Sequence, residues 1–378
     1  MYVMIEIVEV KTKKQQKLFV DFPTKLYDGC PQYVHPLRID ELNLFNRNKN
    51  ASYEDCDAVY FLAYKDGELA GRIAVIIQKL YNQKVGEKRA RFSRFDSIND
   101  QEGANALFEA GEKWAKEKGM EIIHGPLGFN DLDREGLLVD GFEHLATFEE
   151  QYNYEYYQTL IENYGFEKEK DWVEFKIYPP KEIDPRVARL SEAVLKRYKL
   201  KLADTNVAKG KFINHYKQGI FEVLDLAYRD LHGTIPFTPK LRDQIFSQFK
   251  LFIKLKYIVV LVDENDRVVA FGFALPSIAR AVQKSKGRLT PRGIWGIMRS
   301  ASRLDIVDFG LVGVLPEYQG KGLTAVVLKH IMQTMIEDKI GYAETNLNLE
   351  DNLKIQQTWK NFEHDQHKRR RCFVKKIG

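Results

Sequence analysis

Near the C-terminal end a strand closing on Leu311-Val312-Gly313-Val314 runs through Leu315-Pro316-Glu317-Tyr318 into Gln319-Gly320-Lys321-Gly322-Leu323-Thr324, where an amphipathic helix begins. Two glycines bracket a lysine at a helix N-terminus. The first N–H groups of a helix lack intrahelical acceptors, and glycine lets an anion approach them, so this loop is a nest for phosphate. Lys321 adds a positive charge. The spacing fits neither a Walker A loop nor a dinucleotide GxGxxG fingerprint. A lone GxG is equally an ordinary turn that uses glycine for positive φ, so its surroundings must decide. Gly310 and Gly313 inside the strand mark either a bulge open to a ligand or a plain twist point.

The next strand reads Tyr342-Ala343-Glu344-Thr345-Asn346-Leu347-Asn348-Leu349-Glu350, with Tyr342, Glu344, Asn346, Asn348 and Glu350 on one face. In an interior strand so many polar groups need partners, and a binding cleft supplies them. Glu344 is then the candidate base that takes a proton, directly or through water, from an attacking amine. Asp305 and Asp308 on the preceding strand are rivals for that role.

These residues need a scaffold, and the chain provides it twice. Tyr178-Pro179-Pro180 cannot continue a strand ladder, and Asp184-Pro185 is a helix-start signal, with the helix predicted over residues 186–198. On either side the same order recurs: a hairpin (58–63 with 69–77; 257–262 with 267–274), a strand (91–95; 305–314) and a helix (104–118; 324–338). A strand (120–124; 342–349), a helix (154–164; 353–362) and a last strand (172–177; 372–377) follow. The fold class is therefore α/β with a mixed sheet, in two tandem units, residues 1–178 and 179–378, repeated at an offset of about 200 residues.

The stretch Gln319 to Thr324 resembles the acyl-CoA-binding signature of the GNAT acyltransferase superfamily, Q/R-x-x-G-x-G/A, and the order of elements in the second half is similar to that family's. The resemblance implies two tandem acyl-CoA N-acyltransferase-like units. In the second, the amides of Gln319, Gly320, Lys321, Gly322, Leu323 and Thr324 would bind the CoA pyrophosphate. The backbone of Leu311, Val312, Gly313 and Val314 would pair with the pantetheine arm, and Asn352 would lead the helix beside it. Thr324 departs from the family's Gly or Ala. Where the family often has a tyrosine that protonates the departing thiolate this chain has Trp359, whose indole is no acid at neutral pH. Tyr342, Tyr318 or water would then serve, or catalysis would be absent. The first half resembles the unit without its cofactor loop, since residues 96–103 hold one glycine and three acids. Phrases such as Asp21-Phe22-Pro23, Gly71-Arg72-Ile73-Ala74 and Gly136-Leu137-Leu138-Val139 also resemble a bacterial group of tandem acyltransferase-like proteins.

The expected activity is direct transfer from acetyl-CoA or another acyl-CoA to a small amine-bearing acceptor. Two rivals stand beside it: a Fem-type transferase using aminoacyl-tRNA, and a non-catalytic CoA- or metabolite-binding module. The basic segments suit RNA, whereas the Gln319–Gly322 signature disfavours nucleic acid.

Composition bounds the rest. With 378 residues, 44% hydrophobic and 29% charged, the chain has material for two to three cores. Three distant cysteines exclude a disulfide framework and a zinc ribbon, and favour a reducing compartment. The first residues lack a signal peptide's order and no apolar run spans a bilayer, so a cytoplasmic protein is expected. His364-Asp365-Gln366-His367 reads as a solvated turn rather than a metal site, and no metal is expected. The net charge of +5 is uneven. Residues 277–304 hold seven cations and residues 366–378 hold six, neither with an acid, which predicts an anionic partner in the C-terminal half. The 277–304 insertion reads as a lid over the cofactor, a docking surface or a solvated arm. The Tyr152–Tyr157 cluster reads as an acceptor pocket or core packing, with partial exposure expected.

Overall fold

Alternating β-branched and aromatic residues around the Asp66-Gly67 and Asp263–Asp266 turns fold each half about a hairpin. The computed structural model describes residues 4–249, 252–302 and 305–378; Arg303 and Leu304 of the basic segment lie outside them. In chain order the first half holds β1 (Ile5–Glu9), α1 (Lys13–Leu26), α2 (Arg38–Asn43), β2 (Cys56–Lys65), β3 (Glu68–Gln78), α3 (Lys79–Val85), β4 (Arg89–Ser97), α4 (Gln101–Glu117), β5 (Ile122–Gly125), β6 (Leu137–Asp140), α5 (Tyr156–Asn163) and β7 (Glu167–Tyr178). The second holds α6 (Pro185–Arg197), β8 (Lys201–Leu202), α7 (Lys209–Ala227), α8 (Pro239–Phe249), β9 (Ile258–Val262), β10 (Val268–Pro276), α9 (Ala279–Ser285), α10 (Pro291–Ser302), β11 (Ile306–Val314), α11 (Leu323–Glu337), β12 (Tyr342–Thr345), β13 (Asn348–Leu349), α12 (Leu353–Trp359) and β14 (Glu363–Lys376).

Pro179 follows the last residue of β7, and Asp184 caps α6 through a 2.7 Å bond from the Arg186 amide. The compact units are nonetheless discontinuous in sequence. One comprises Met1–Val173, Ile278–Ile297 and His367–Gly378; the other comprises Glu174–Ser277 and Met298–Gln366.

In the first unit the strand order is β1-β2-β3-β4-β5-β14. Its neighbours are antiparallel except β4 and β5, which run parallel. The strand beside β5 is thus the C-terminal one, with Phe373 opposite Gly125 and Lys376 opposite Ile122. This strand absorbs the basic tail. Arg370 and Lys368 are buried, Arg369 and Arg371 bond the buried Asp171, and Lys375 pairs with Glu112 at 2.6 Å. The tail's charge therefore serves strand packing instead of an anionic partner. β14 also starts earlier than predicted and takes in His364 to His367, so those histidines form strand and not a turn.

In the second unit the order is β8-β9-β10-β11-β12, and β12 pairs antiparallel with the end of β7, Glu344 opposite Lys176 and Ala343 opposite Ile177. Each unit thus receives, next to its parallel pair, a strand from the other half of the sequence. The apolar face of α11 (Val326, Val327, Ile331, Met332, Met335) is buried, and Gly272 on β10 admits it: a Cβ there would lie 2.4 Å from Val327. Helix α6 does not bury all of its apolar side chains. Leu190 is 65% exposed, while Ser191 is buried and Val194 approaches Gly322.

Candidate functional site

β11 and β12 pair in parallel from Ile306 opposite Tyr342 to Phe309 opposite Thr345, and there they part. Two local causes are visible. On β11, Val312 lies opposite Gly272 but Phe309 opposite Ala274, so Gly310 and Leu311 together face one residue of β10 and form a bulge. The missing side chains make room for rings: a Cβ on Gly310 would lie 2.0 Å from Phe273, and one on Gly313 2.6 Å from Phe271. On β12, the Asn346 side chain accepts a 2.7 Å bond from the Leu347 amide and turns the chain away. The predicted strand over 342–349 therefore breaks after Thr345, leaving Tyr342 and Glu344 alone on the polar strand face. Asn346, Asn348 and Glu350 are not on it.

Beyond the bulge, Leu315 N–H donates to Val269 O on β10. By alternation the peptide groups of Val312 and Val314 point the other way, toward the opening left by β12. Their carbonyls accept from the Tyr228 hydroxyl (3.2 Å) and the Gln319 side chain (3.4 Å).

The loop then forms the predicted nest. Gly320 (φ 73°) and Gly322 (φ 86°) both take the left-handed conformation that glycine alone adopts at low cost. Leu323 is buried and anchors the first turn of α11, whereas Gly320, Lys321 and Gly322 are exposed. No described residue accepts a hydrogen bond from the amides of Gly320, Gly322, Leu323 or Thr324. The Lys321 ammonium rests 5.2 Å from the ring centres of both Tyr198 and Tyr318. The chemistry of this donor set, exposed amides at a helix N-terminus with a lysine beside them, fits a pyrophosphate.

Asp308 and Glu344 are register partners on the parallel strands, so their buried side chains share one face. The antiparallel neighbour adds Lys176 opposite Glu344, its ammonium 5.4 Å from the Tyr342 ring centre. Tyr178, 6.1 Å from Tyr342, donates a 2.9 Å bond to Asp365, which raises its hydroxyl above the usual phenol range. The face thus carries Asp308, Glu344, Tyr342, Lys176 and Tyr178. The last two escape sequence reasoning because β7 belongs to the other half of the chain. Asp305 precedes β11, and its carbonyl accepts from Gly341. Trp359 is buried, and its indole donates 3.1 Å to Asn348, so it is committed to the fold. Asn352 precedes α12, with its N–H on Leu349 O and no capping bond from its side chain.

The equivalent positions of the first unit are filled from within. β4 and β5 part after Arg91 and His124, with a register shift that leaves Arg94 and Phe95 opposite Ile73. The strand edge is occupied by tyrosines: Ser97 N–H donates 3.1 Å to the Tyr157 hydroxyl, and the Tyr156 hydroxyl donates 2.8 Å to Ser97 O. Tyr157 in turn lies against Tyr27 and the buried Asp96. At the N-terminus of α4 the Asp100 carboxylate accepts the Gly103 amide at 2.9 Å and binds Lys65. A protein carboxylate thus stands at the helix end that would hold a phosphate. The 277–304 insertion does not remain a solvated arm. Gln283 donates to the Pro31 and Tyr33 carbonyls, Arg38 N–H donates to Gly287 O, and Lys286 pairs with Asp28, all within the first unit.

Among solved structures the chain resembles a tandem GNAT protein from the clavulanic acid biosynthesis pathway, with TM-score 0.56 at 10% identity over 99% of both chains. The chain has the tandem GNAT fold. Among curated proteins this GNAT-fold chain is 25% identical to Protein YghO of Escherichia coli over 97% of its own length and 94% of that protein. It is 26% identical to the bacterial ceramide synthase of Caulobacter vibrioides, over 76% of its length and 74% of the relative's. No family model matches the sequence. Among the described residues no helix is long and apolar enough to cross a membrane.

Proposed function

We propose that the protein is an acyl-CoA-dependent N-acyltransferase, with acetyl-CoA the first donor to test, working from its second unit on an amine-bearing acceptor. The observation that carries this reading is the pairing of two features in one unit: unaccepted amides at Gly320, Gly322, Leu323 and Thr324 and a peptide edge at Val312 and Val314 turned into a parted strand pair. The amides and Lys321 would hold the pyrophosphate. Transfer would be direct: the amine nitrogen bonds to the acyl carbon while the carbon–sulfur bond breaks. Glu344, with Asp308 beside it, would accept the amine's proton, through water where the distance requires it. The Tyr342 hydroxyl would return a proton to the thiolate, and strand amides would stabilise the oxyanion. The first unit would serve as a degenerate copy. The reaction would take place in the cytoplasm.

The name of the Caulobacter relative favours one amine class. Ceramide is the N-acylated form of a long-chain amino alcohol, so a sphingoid base belongs in the acceptor panel with polyamines and amino sugars. The test is thiol release from acetyl-, octanoyl- and palmitoyl-CoA, read colorimetrically with each acceptor. Acceptor-dependent release is expected. CoA-independent retention of tRNA with no thiol release would favour the aminoacyl-tRNA reading instead.

A further inference from the structure

Helix α10 presents its largest apolar side chains outward. Ile294, Trp295 and Met298 are 37%, 62% and 58% exposed, whereas the buried positions are Gly293 and Ile297. At 100° per residue, 294, 298 and 295 form one ridge opposite 293, 297 and 300. A surface helix of a globular protein normally shows the reverse. Leu289, 38% exposed in the turn before the helix, lengthens the apolar surface. Cations border it: Arg292 and Arg299 lie together along the Trp295 edge of the ridge, and Arg288, Lys284 and Arg280 are exposed on the preceding turn and α9. No acid occurs between residues 277 and 304.

We infer that α10 is an interfacial helix that seats the protein on an anionic bilayer surface. An apolar ridge with an indole, edged by arginines, is the pattern by which a helix lies in the headgroup plane, its apolar side among acyl chains and its cations on anionic headgroups. Charge complementarity decides against a second copy of the chain, because a two-fold contact through this face would bring the two basic borders together. The ridge stands out on a well-anchored hairpin: Gly287 lies so close to the Pro36 carbonyl that a Cβ would come within 2.0 Å. The inference is independent of the reaction proposed above. It places the protein at a membrane surface through a helix that lies along the bilayer.

The test uses the full chain and extruded vesicles of phosphatidylcholine, with or without about a third phosphatidylglycerol, in a flotation assay. Binding is expected to the anionic vesicles and to weaken with salt. Trp295→Ser/Met298→Ser and Arg292→Glu/Arg299→Glu should each lower partitioning about tenfold or more. These positions are exposed, so circular dichroism should be unchanged. Quenching of the wild-type protein's tryptophan emission by bromo-lipids gives a second readout that needs no variant. Absence of wild-type flotation at low salt would overturn the inference. So would a ridge variant that changes only the mass seen by light scattering, which would assign the face to self-association. Loss of vesicle binding with intact thiol release would leave the proposed reaction standing.

Discussion

Glu344 and His35 show how single side chains report on the two units. Glu344 is buried beside Asp308 on the polar strand face, and a base in that position contributes through proton transfer. Glu344→Gln keeps the shape and removes the proposed base. Turnover should fall about 10²- to 10³-fold while acyl-CoA affinity stays unchanged, as measured by steady-state kinetics and calorimetry; an unaltered rate would move the role to Asp308. His35 in the first unit lies against Tyr33, and its Nδ1 finds no partner among the described residues. Burial, reinforced by Lys286 and Arg134, holds its value down at about 4. An unfolded imidazole titrates near 6.5, so folding favours the neutral ring. Stability contributed by that preference is complete above about pH 6.5 and is lost as pH falls through about 4. The loss should be on the order of 2–3 kcal/mol. In denaturant melts across that window His35→Phe should flatten the acid limb. A slope identical to wild type would show that other groups dominate.

Strand exchange is the main result for the elements. β5 pairs with residues 373–376, and β12 pairs with residues 176 and 177, so neither half of the sequence holds its complete sheet. A chain ending at Gln366 loses the partner of β5 and the arginines on the buried Asp171. Lys168 still reaches Asp171 at 3.1 Å, so the carboxylate keeps one partner and the main loss is the strand that pairs with β5. The truncated chain should show a lowered melting temperature and fast amide exchange along β5; a wild-type melt would refute the exchange. Much of each unit was legible beforehand, because hairpin turns, helix periodicity and the Gly320/Gly322 loop are written in local patterns. The partner of a strand is not. Nothing in Trp172–Ile177 says which sheet it joins, so Lys176 and Tyr178 were missed. The break at Asn346 had a signal in that residue's aptitude for side-chain-to-backbone turns, but strand alternation outweighed it. The bulge at Gly310 was one of two readings, and only the Phe273 ring shows why no side chain fits.

For the whole molecule, the two units differ at corresponding positions. In one, tyrosines and Asp100 fill the strand edge and the helix end from within; in the other, loop amides and Lys321 lie open to solvent. The charge map follows the same division of labour. The C-terminal cations other than the exposed Lys376 are taken up by packing and ion pairs, while those of α9 and α10 remain at the surface. On the proposed function, one unit alone binds acyl-CoA, through the Gly320–Thr324 loop. Titration calorimetry with acetyl-CoA measures this directly. One site per chain is expected, lost in Gly320→Val/Gly322→Val with Asp100→Ala unaffected. No heat at about 1 mM ligand, where even weak binding would register, or two equivalent sites per chain, would contradict the account.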